Sequence, residues 1–316
     1  MAKYNIYGIG AGIVDTEIVV TDKFLKDNGV EKGVMTLVDE ERQHELINSI
    51  TSQTRPVKRS CGGSACNTVV AASKFGSKTF YSAKVAADKD GSFFVKDLKS
   101  AGVNFHNVKA EKGITGKCLV MVTPDAERTM NTCLGASLEL TSQEVDEKSL
   151  ANSEWLYMEG YLVSDQNRTN VAIEAMNFAK QNNVKTSMSL SDPLIVKLFS
   201  DNLKSVIGDG IDLLFCNSDE ARSFTDTHTI EAAAESLKQY AKTFVITRGP
   251  GGSLIYDGHD LSYNKGVATN AIDTNGAGDM FAGAFLHALS SGREYSWAAQ
   301  FANTASAIVV SQFGPR

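Results

Sequence analysis

The sequence predicts an α/β fold: a three-layer sandwich with helices covering a mainly parallel central sheet, with extra strands beside it. Three observations carry that prediction. Apolar runs of strand length alternate with helix-period segments along most of the chain, the grammar of βαβ units and a parallel sheet. The exceptions, near 13–38 and 104–135, are strand-like runs broken by Gly and Asp turns, which read as extra strands outside that alternation. Finally, 316 residues with 42% hydrophobic content suffice for one large α/β domain or two smaller ones. With no Pro/Gly/Ser-rich linker, low-complexity tract or fixed-period repeat, a single domain over 1–316 is expected.

In chain order, Tyr4–Val14 reads as an opening buried strand that delivers Asp15 at its carboxyl end, where open α/β sheets bind ligands. Gly8, Gly10 and Gly12 suggest a dinucleotide fingerprint, but its third glycine would fall on Ile13, and Asp15–Val20 continues as strand. The fingerprint therefore fails on spacing. Next, Gly62-Gly63-Ser64-Ala65-Cys66-Asn67 opens a helix over 64–75 that closes on a Gly76 C-cap. Two glycines let a ligand lie against the backbone, and Asn67, one turn in, offers a diol both a donor and an acceptor. Alone, this is an ordinary helix start; paired with the second glycine segment described below, it reads as half of a site.

Arg128 stands between strand-like runs at 117–122 and around 132–134, the position of a hairpin charge. A strand near 155–160 leads to Tyr161, whose ring would stack on a purine or pack in the core. A helix over 167–182 and a strand at 184–189 follow. The buried strand 213–216 precedes Asn217 and Glu220, which by themselves read equally as a capping pair. Phe244–Tyr256 reads as strand, turn, strand, with Thr247, Gly249 and Gly252 at the turn. It is not a Walker A loop, because no Gly-Lys-Ser or Gly-Lys-Thr follows.

The most informative segment is Asp273-Thr274-Asn275-Gly276-Ala277-Gly278-Asp279, which runs directly into an apolar helix over 277–291. Small residues let consecutive amides approach a phosphate, and the helix N-terminus adds a partial positive charge. The stretch Asn275, Gly276, Ala277 and Gly278 thus forms an anion hole. Asp279, in the first helical turn, is placed to accept a hydroxyl proton beside it. Phe301–Val310, which includes Asn303, has the small-residue spacing of a buried helix.

The two glycine segments resemble the two signatures of the ribokinase-like, or PfkB-type, carbohydrate and nucleoside kinases, and the resemblance spans nearly the whole chain. It implies that the extra strands form a small β-sheet lid over the acceptor site, and it implies ATP-dependent transfer of the γ-phosphoryl group to a primary hydroxyl. By resemblance, Asp15, Gly62, Gly63 and Asn67 bind acceptor hydroxyls and Arg128 binds the transferring phosphate. Asn217 and Glu220 organise Mg2+, Glu220 through water. Thr247, Gly249 and Gly252 lie along the nucleotide, and Asn303 touches adenine. Asp273 matches part of a monovalent-cation loop, but only Pro315 and Arg316 follow Gly314, which leaves K+ activation open. Val34–Glu40 and Arg128–Ser137 are similar to the adenosine-kinase branch, with Tyr161 at the mouth of the acceptor pocket. Adenosine or another purine nucleoside is the expected acceptor. A ribokinase- or fructokinase-type sugar would present hydroxyls to the same residues, and a non-catalytic nucleoside sensor would bind without turnover, which an intact Asp279 argues against.

A net charge of −6 without a basic block argues against nucleic-acid partners. Five cysteines, odd in number and without a Cys-x-x-Cys pair, suggest neither a disulfide framework nor a zinc site. The five histidines show no ligand-like pairing. No signal segment or membrane-length apolar run is read, so a cytoplasmic monomer or homodimer acting on a small molecule is expected.

Overall fold

The computed structural model describes residues 3–50, 58–106, 109–110, 112–125 and 127–316. Among them, nine strands form the large sheet. From one edge their order is Leu261–Asn264, Ser253–Tyr256, Ala241–Thr247, Ile211–Asn217, Lys185–Ser189, Ser153–Glu159, Tyr4–Ile9, Thr79–Ser82 and Asn104–Phe105. The pairs are parallel except for the two at the Leu261 edge. Strand Ile211–Asn217 shows why the sheet must be covered twice. Its run Leu213-Leu214-Phe215-Cys216 is buried throughout, and alternate side chains point to opposite faces. Leu214 and Cys216 join one core, Leu213 and Phe215 the other. Each such fully buried Leu or Phe contributes about 1.5–3 kcal/mol of transfer free energy.

The helices Ser64–Lys74, Ala277–Ser290 and Tyr295–Val309 pack together on one face through small residues. Gly283 is the point of closest approach: a Cβ there would collide with the Thr68 carbonyl oxygen. That contact sets the two glycine-signature helices side by side. The helices Gln166–Gln181, Pro193–Ile207, Ser218–Thr225 and Ile230–Leu237 cover the other face.

A five-stranded sheet, ordered Met35–Leu37, Arg128–Cys133, Gly116–Val122, Ile13–Val19 and Lys58–Gly62, forms the lid. Its outer face buries Ile18, Leu119 and Met121 against Leu25, Leu46 and Ile50, which come from helices Asp22–Asp27 and Glu40–Ile50.

Three expectations are corrected. Asp15 does not end the opening strand, which stops at Ile9; it is the third residue of a lid strand, paired with Cys118 and Ser60. Gly12 permits the break, since a Cβ there would lie 2.8 Å from the Lys84 carbonyl oxygen. Asn104–Phe105 belongs to the large sheet and Lys109–Ala110 pairs with Val85–Ala86, so the second lid segment begins at Gly116. Residues 107–108, 111 and 126 of that expected stretch lie outside the described residues. Gly62, read only as part of the turn before the helix, ends the strand Lys58–Gly62, whose register opposite Ile13–Glu17 satisfies the backbone of both. No helix among the described residues is long and apolar enough to cross a membrane.

Candidate active site

Two helix starts and one lid strand converge. Asp279, in the first turn of Ala277–Ser290, accepts from Ser64 Oγ at 2.6 Å and from Asn67 Nδ2 at 3.1 Å. Both donors stand in the first turn of Ser64–Lys74, so the Gly283 contact between the helices becomes a geometry between side chains. Burial pushes the Asp279 carboxyl up to about 6, and the two hydrogen bonds oppose that shift. A carboxylate poised there is ionised at neutral pH and still basic enough to take a proton.

Asn67 is 4% exposed, and its Oδ1 has no hydrogen-bond partner among the described residues. Leaving a buried acceptor unmade costs about 1–3 kcal/mol, which points to a ligand donor in that place. Asp15 lies against Gly62, where a Cβ would collide with its carboxylate. No described residue donates to it. Burial pushes its carboxyl up to about 7, opposed by Arg316 and reinforced by Glu17 and Asp279. Gly63 takes φ +98°, and a Cβ on it would lie 2.6 Å from the Ala11 carbonyl oxygen. Asp15 and Asn67 thus leave an acceptor carboxylate and a free amide oxygen for a hydroxylated ligand.

In the stretch expected to form an anion hole, Gly276 adopts the left-handed conformation at φ +70°. The amide of Asn275 donates to Asp273 Oδ1 at 2.9 Å and that of Ala277 to the Thr274 carbonyl at 3.3 Å. Among the described residues nothing accepts from the amides of Gly276, Gly278 or Asp279. Gly278 needs no special φ, and a Cβ on it would meet nothing within 4 Å. The open space and the free amides coincide.

Arg128 is buried and ion-paired with Asp273 through two short contacts, with Glu17 Oε1 at 3.9 Å. Asp273 also accepts from Gly314 N–H at 2.7 Å. The lid arginine is therefore anchored to the loop that precedes the anion hole. Gly314–Arg316 closes the same corner: Gly276 abuts Pro315, and Arg316 Nη2 donates to Asp97 Oδ2 at 2.8 Å.

Of the residues expected on the nucleotide side, Asn217 and Glu220 form a capping box. Asn217 N and Nδ2 donate to the Glu220 carboxylate at 2.9 and 2.7 Å, and Asn217 Oδ1 accepts from the amide of Glu220. Burial is the first cause that raises the Glu220 carboxyl to about 7. Thr247 ends a sheet strand at hydrogen-bond reach of the Cys216 carbonyl. Gly249 (φ +53°) faces open space, whereas Gly252 (φ +86°) packs against the backbone of Asn264. Asn303 Nδ2 bridges Ser253 Oγ and the Lys265 carbonyl. Tyr161 is half-buried in the turn after strand Ser153–Glu159; burial, then the charges of Asp192 and Asp279, hold its phenol above the usual range.

Two site residues escaped the sequence reading. Ser64 bonds Asp279, and Glu159, 1% exposed, accepts from Ala11 N–H at 2.8 Å and Ala65 N–H at 2.7 Å. Burial raises the Glu159 carboxyl to about 7. Its signal was available: an acid ending the otherwise apolar run Trp-Leu-Tyr-Met.

A carboxylate beside a hydroxyl-binding pair, next to amides left open for an anion, is what phosphoryl transfer to an alcohol requires. The chain is a phosphotransferase of that class. It belongs to the pfkB family of carbohydrate kinases, whose family model matches residues 34–316. It is 25% identical over 331 residues to adenosine kinase 2 of Arabidopsis thaliana, covering 98% of this chain and 94% of that protein. It is 27% identical over 262 residues to the ribokinase of Haemophilus influenzae, covering 80% and 82%. The crystal structure of adenosine kinase from Sinorhizobium meliloti superposes with a TM-score of 0.92 at 33% identity, covering 100% of this chain and 96% of that one. The chain is thus a nucleoside or sugar kinase, and its kinase relatives imply ATP as phosphoryl donor.

Proposed function

We propose that the chain transfers the γ-phosphoryl group of ATP to the primary hydroxyl of a purine nucleoside, adenosine first. The observation that carries the nucleoside over a free sugar is the second apolar cluster of the lid. Ile13, Cys118, Val120 and Val122, with Met130 and Leu134, pack together on the strands that bear Asp15 and Arg128. These side chains are already buried or partly buried against one another; the face they form is apolar, which suits contact with a purine ring and which a free sugar does not need. The kinship with adenosine kinases supports the same choice.

In this reading Asp15 and Asn67 Oδ1 accept from the ribose diol, which turns the primary hydroxyl toward Asp279. Asp279 takes that hydroxyl's proton as the oxygen bonds to phosphorus and the bond to the ADP oxygen breaks. The free amides of Gly276 and Gly278, with Arg128 beside them, receive the charge on the transferring group. Mg2+ bound with the nucleotide would neutralise phosphate charge. Asn217 and Glu220, already bonded to each other, suit contact with its waters rather than direct ligation. A K+ ion fits poorly at Asp273, whose carboxylate is taken by Arg128 and two amides.

ADP release with MgATP, measured against adenosine, inosine, guanosine, ribose and fructose, tests the reading. Turnover with a purine nucleoside and not with either sugar is expected. Turnover with sugars alone would overturn the choice of acceptor.

A further inference from the structure

The sequence has two Asn-Gly pairs, Asn28-Gly29 and Asn275-Gly276. Asn-Gly is the dipeptide most prone to intramolecular imide formation, because glycine leaves its own amide nitrogen unshielded. Two features control the reaction: whether the asparagine side chain is free to rotate, and whether the following N–H is held by an acceptor.

The structure treats the two pairs oppositely. Asn28 Nδ2 donates to the Phe24 carbonyl at 2.9 Å, and Gly29 N–H donates to the Lys26 carbonyl at 3.1 Å. Both reacting groups are tied. At the other pair the Asn275 backbone is fixed through its amide to Asp273, but its side-chain amide meets no partner among the described residues. The Gly276 N–H has no acceptor either, and Gly276 is left-handed at φ +70° in a half-open turn. A site built to leave amides open for an anion therefore also leaves a nucleophile next to an unrestrained carboxamide.

We infer that Asn275 is a deamidation site, converting the anion hole of the unliganded protein into one that carries a carboxylate. The Gly276 nitrogen, losing its proton to base, attacks Asn275 Cγ; the Cγ–Nδ2 bond breaks and ammonia leaves, closing a five-membered imide. Water then opens either imide carbonyl, giving aspartate or isoaspartate. The net change is water in and ammonia out, without oxidation or reduction. The new charge lies where the γ-phosphate must sit. A bound nucleotide would occupy the Gly276 amide and slow the conversion. The effects on turnover and of nucleotide rest on the proposed phosphate site; the chemistry of the pair does not.

The test is incubation of the full chain in warm, mildly alkaline buffer, with and without a non-hydrolysable ATP analogue and Mg2+. Peptide mapping follows positions 275 and 28 while turnover is measured in parallel. Asn275 is expected to convert first, to a mixture of aspartyl and isoaspartyl forms, and more slowly with the analogue. Turnover should fall in step, each converted molecule losing about a hundredfold or more, the cost of spoiling one oxyanion donor. An Asn275→Gln variant, whose larger imide forms far more slowly, should hold its own starting turnover through the incubation. An intact Asn275, or Asn28 converting as fast, would overturn the inference. Conversion at 275 with full turnover retained would leave the deamidation standing and overturn the phosphate site instead.

Discussion

Asp279 is held by two neutral donors in a buried setting, so its carboxyl is weakly acidic without being paired to a cation. If it is the base, Asp279→Asn should keep nucleoside binding and lose about two to four orders of magnitude in turnover. Calorimetric affinity alongside ADP release separates the two, and retained turnover would remove Asp279 from the role. The sign of the pH profile follows: only the ionised form accepts a proton, so wild-type turnover should fall as pH drops through about 6. Asp279, Asn67 and Asp15 were legible because each lies inside a contiguous motif whose glycines announce close approach. Ser64, although inside the same motif as Asn67, and Glu159, outside both motifs, were given no role, because nothing in a serine or a lone acid announces the partner it meets 215 or 94 residues away along the chain.

The helix Ala277–Ser290 carries two glycines with opposite reasons. Gly283 lets the helix touch Ser64–Lys74, whereas Gly278 has only empty space before it. Gly283→Ala should cost about 1–3 kcal/mol by forcing the helices apart. Gly278→Ala should leave stability unchanged or raise it by up to about 1 kcal/mol, since alanine is the better helix former, while lowering turnover. Denaturant unfolding and kinetics on both variants check this; a stability loss at 278 larger than at 283 would invert the assignment. Apart from the opening strand, which stops at Ile9 and not at Val14, the helices and parallel strands named from periodicity lie within one to three residues of their expected positions, as with the expected 64–75 and observed Ser64–Lys74. The lid was less readable. Its strands are short, half polar and paired across long stretches of sequence, so Lys58–Gly62 went unread as a strand and Asn104–Phe105 looked like lid.

Across the whole molecule, burial raises the carboxyls of Asp15, Glu159, Asp279 and Glu220 to between about 6 and 7. The folded chain then binds protons that the unfolded chain has released between about pH 4 and 7, so stability should fall as pH rises through that window. His287, whose pKa burial lowers, opposes the trend as a single group. Unfolding midpoints of the ligand-free protein at about pH 5 and about pH 8 test the sign, and Glu159→Gln should flatten the slope. A midpoint that rises with pH across the window would show that these carboxyls are not strained by folding. Neither the sequence motif nor its spacing reveals this, because the cost comes from the burial of each acid in the folded chain.

The corner where Gly314–Arg316 meets Gly276, Asp273 and the lid strand Lys58–Gly62 has a further meaning during synthesis. Chains fold from the N-terminus as they emerge from the ribosome. Here the lid strand Lys58–Gly62 is translated well before Gly314–Arg316, the residues that pack against it. A nascent chain would carry Asp15 and Asn67 long before it can form the corner that packs beside them.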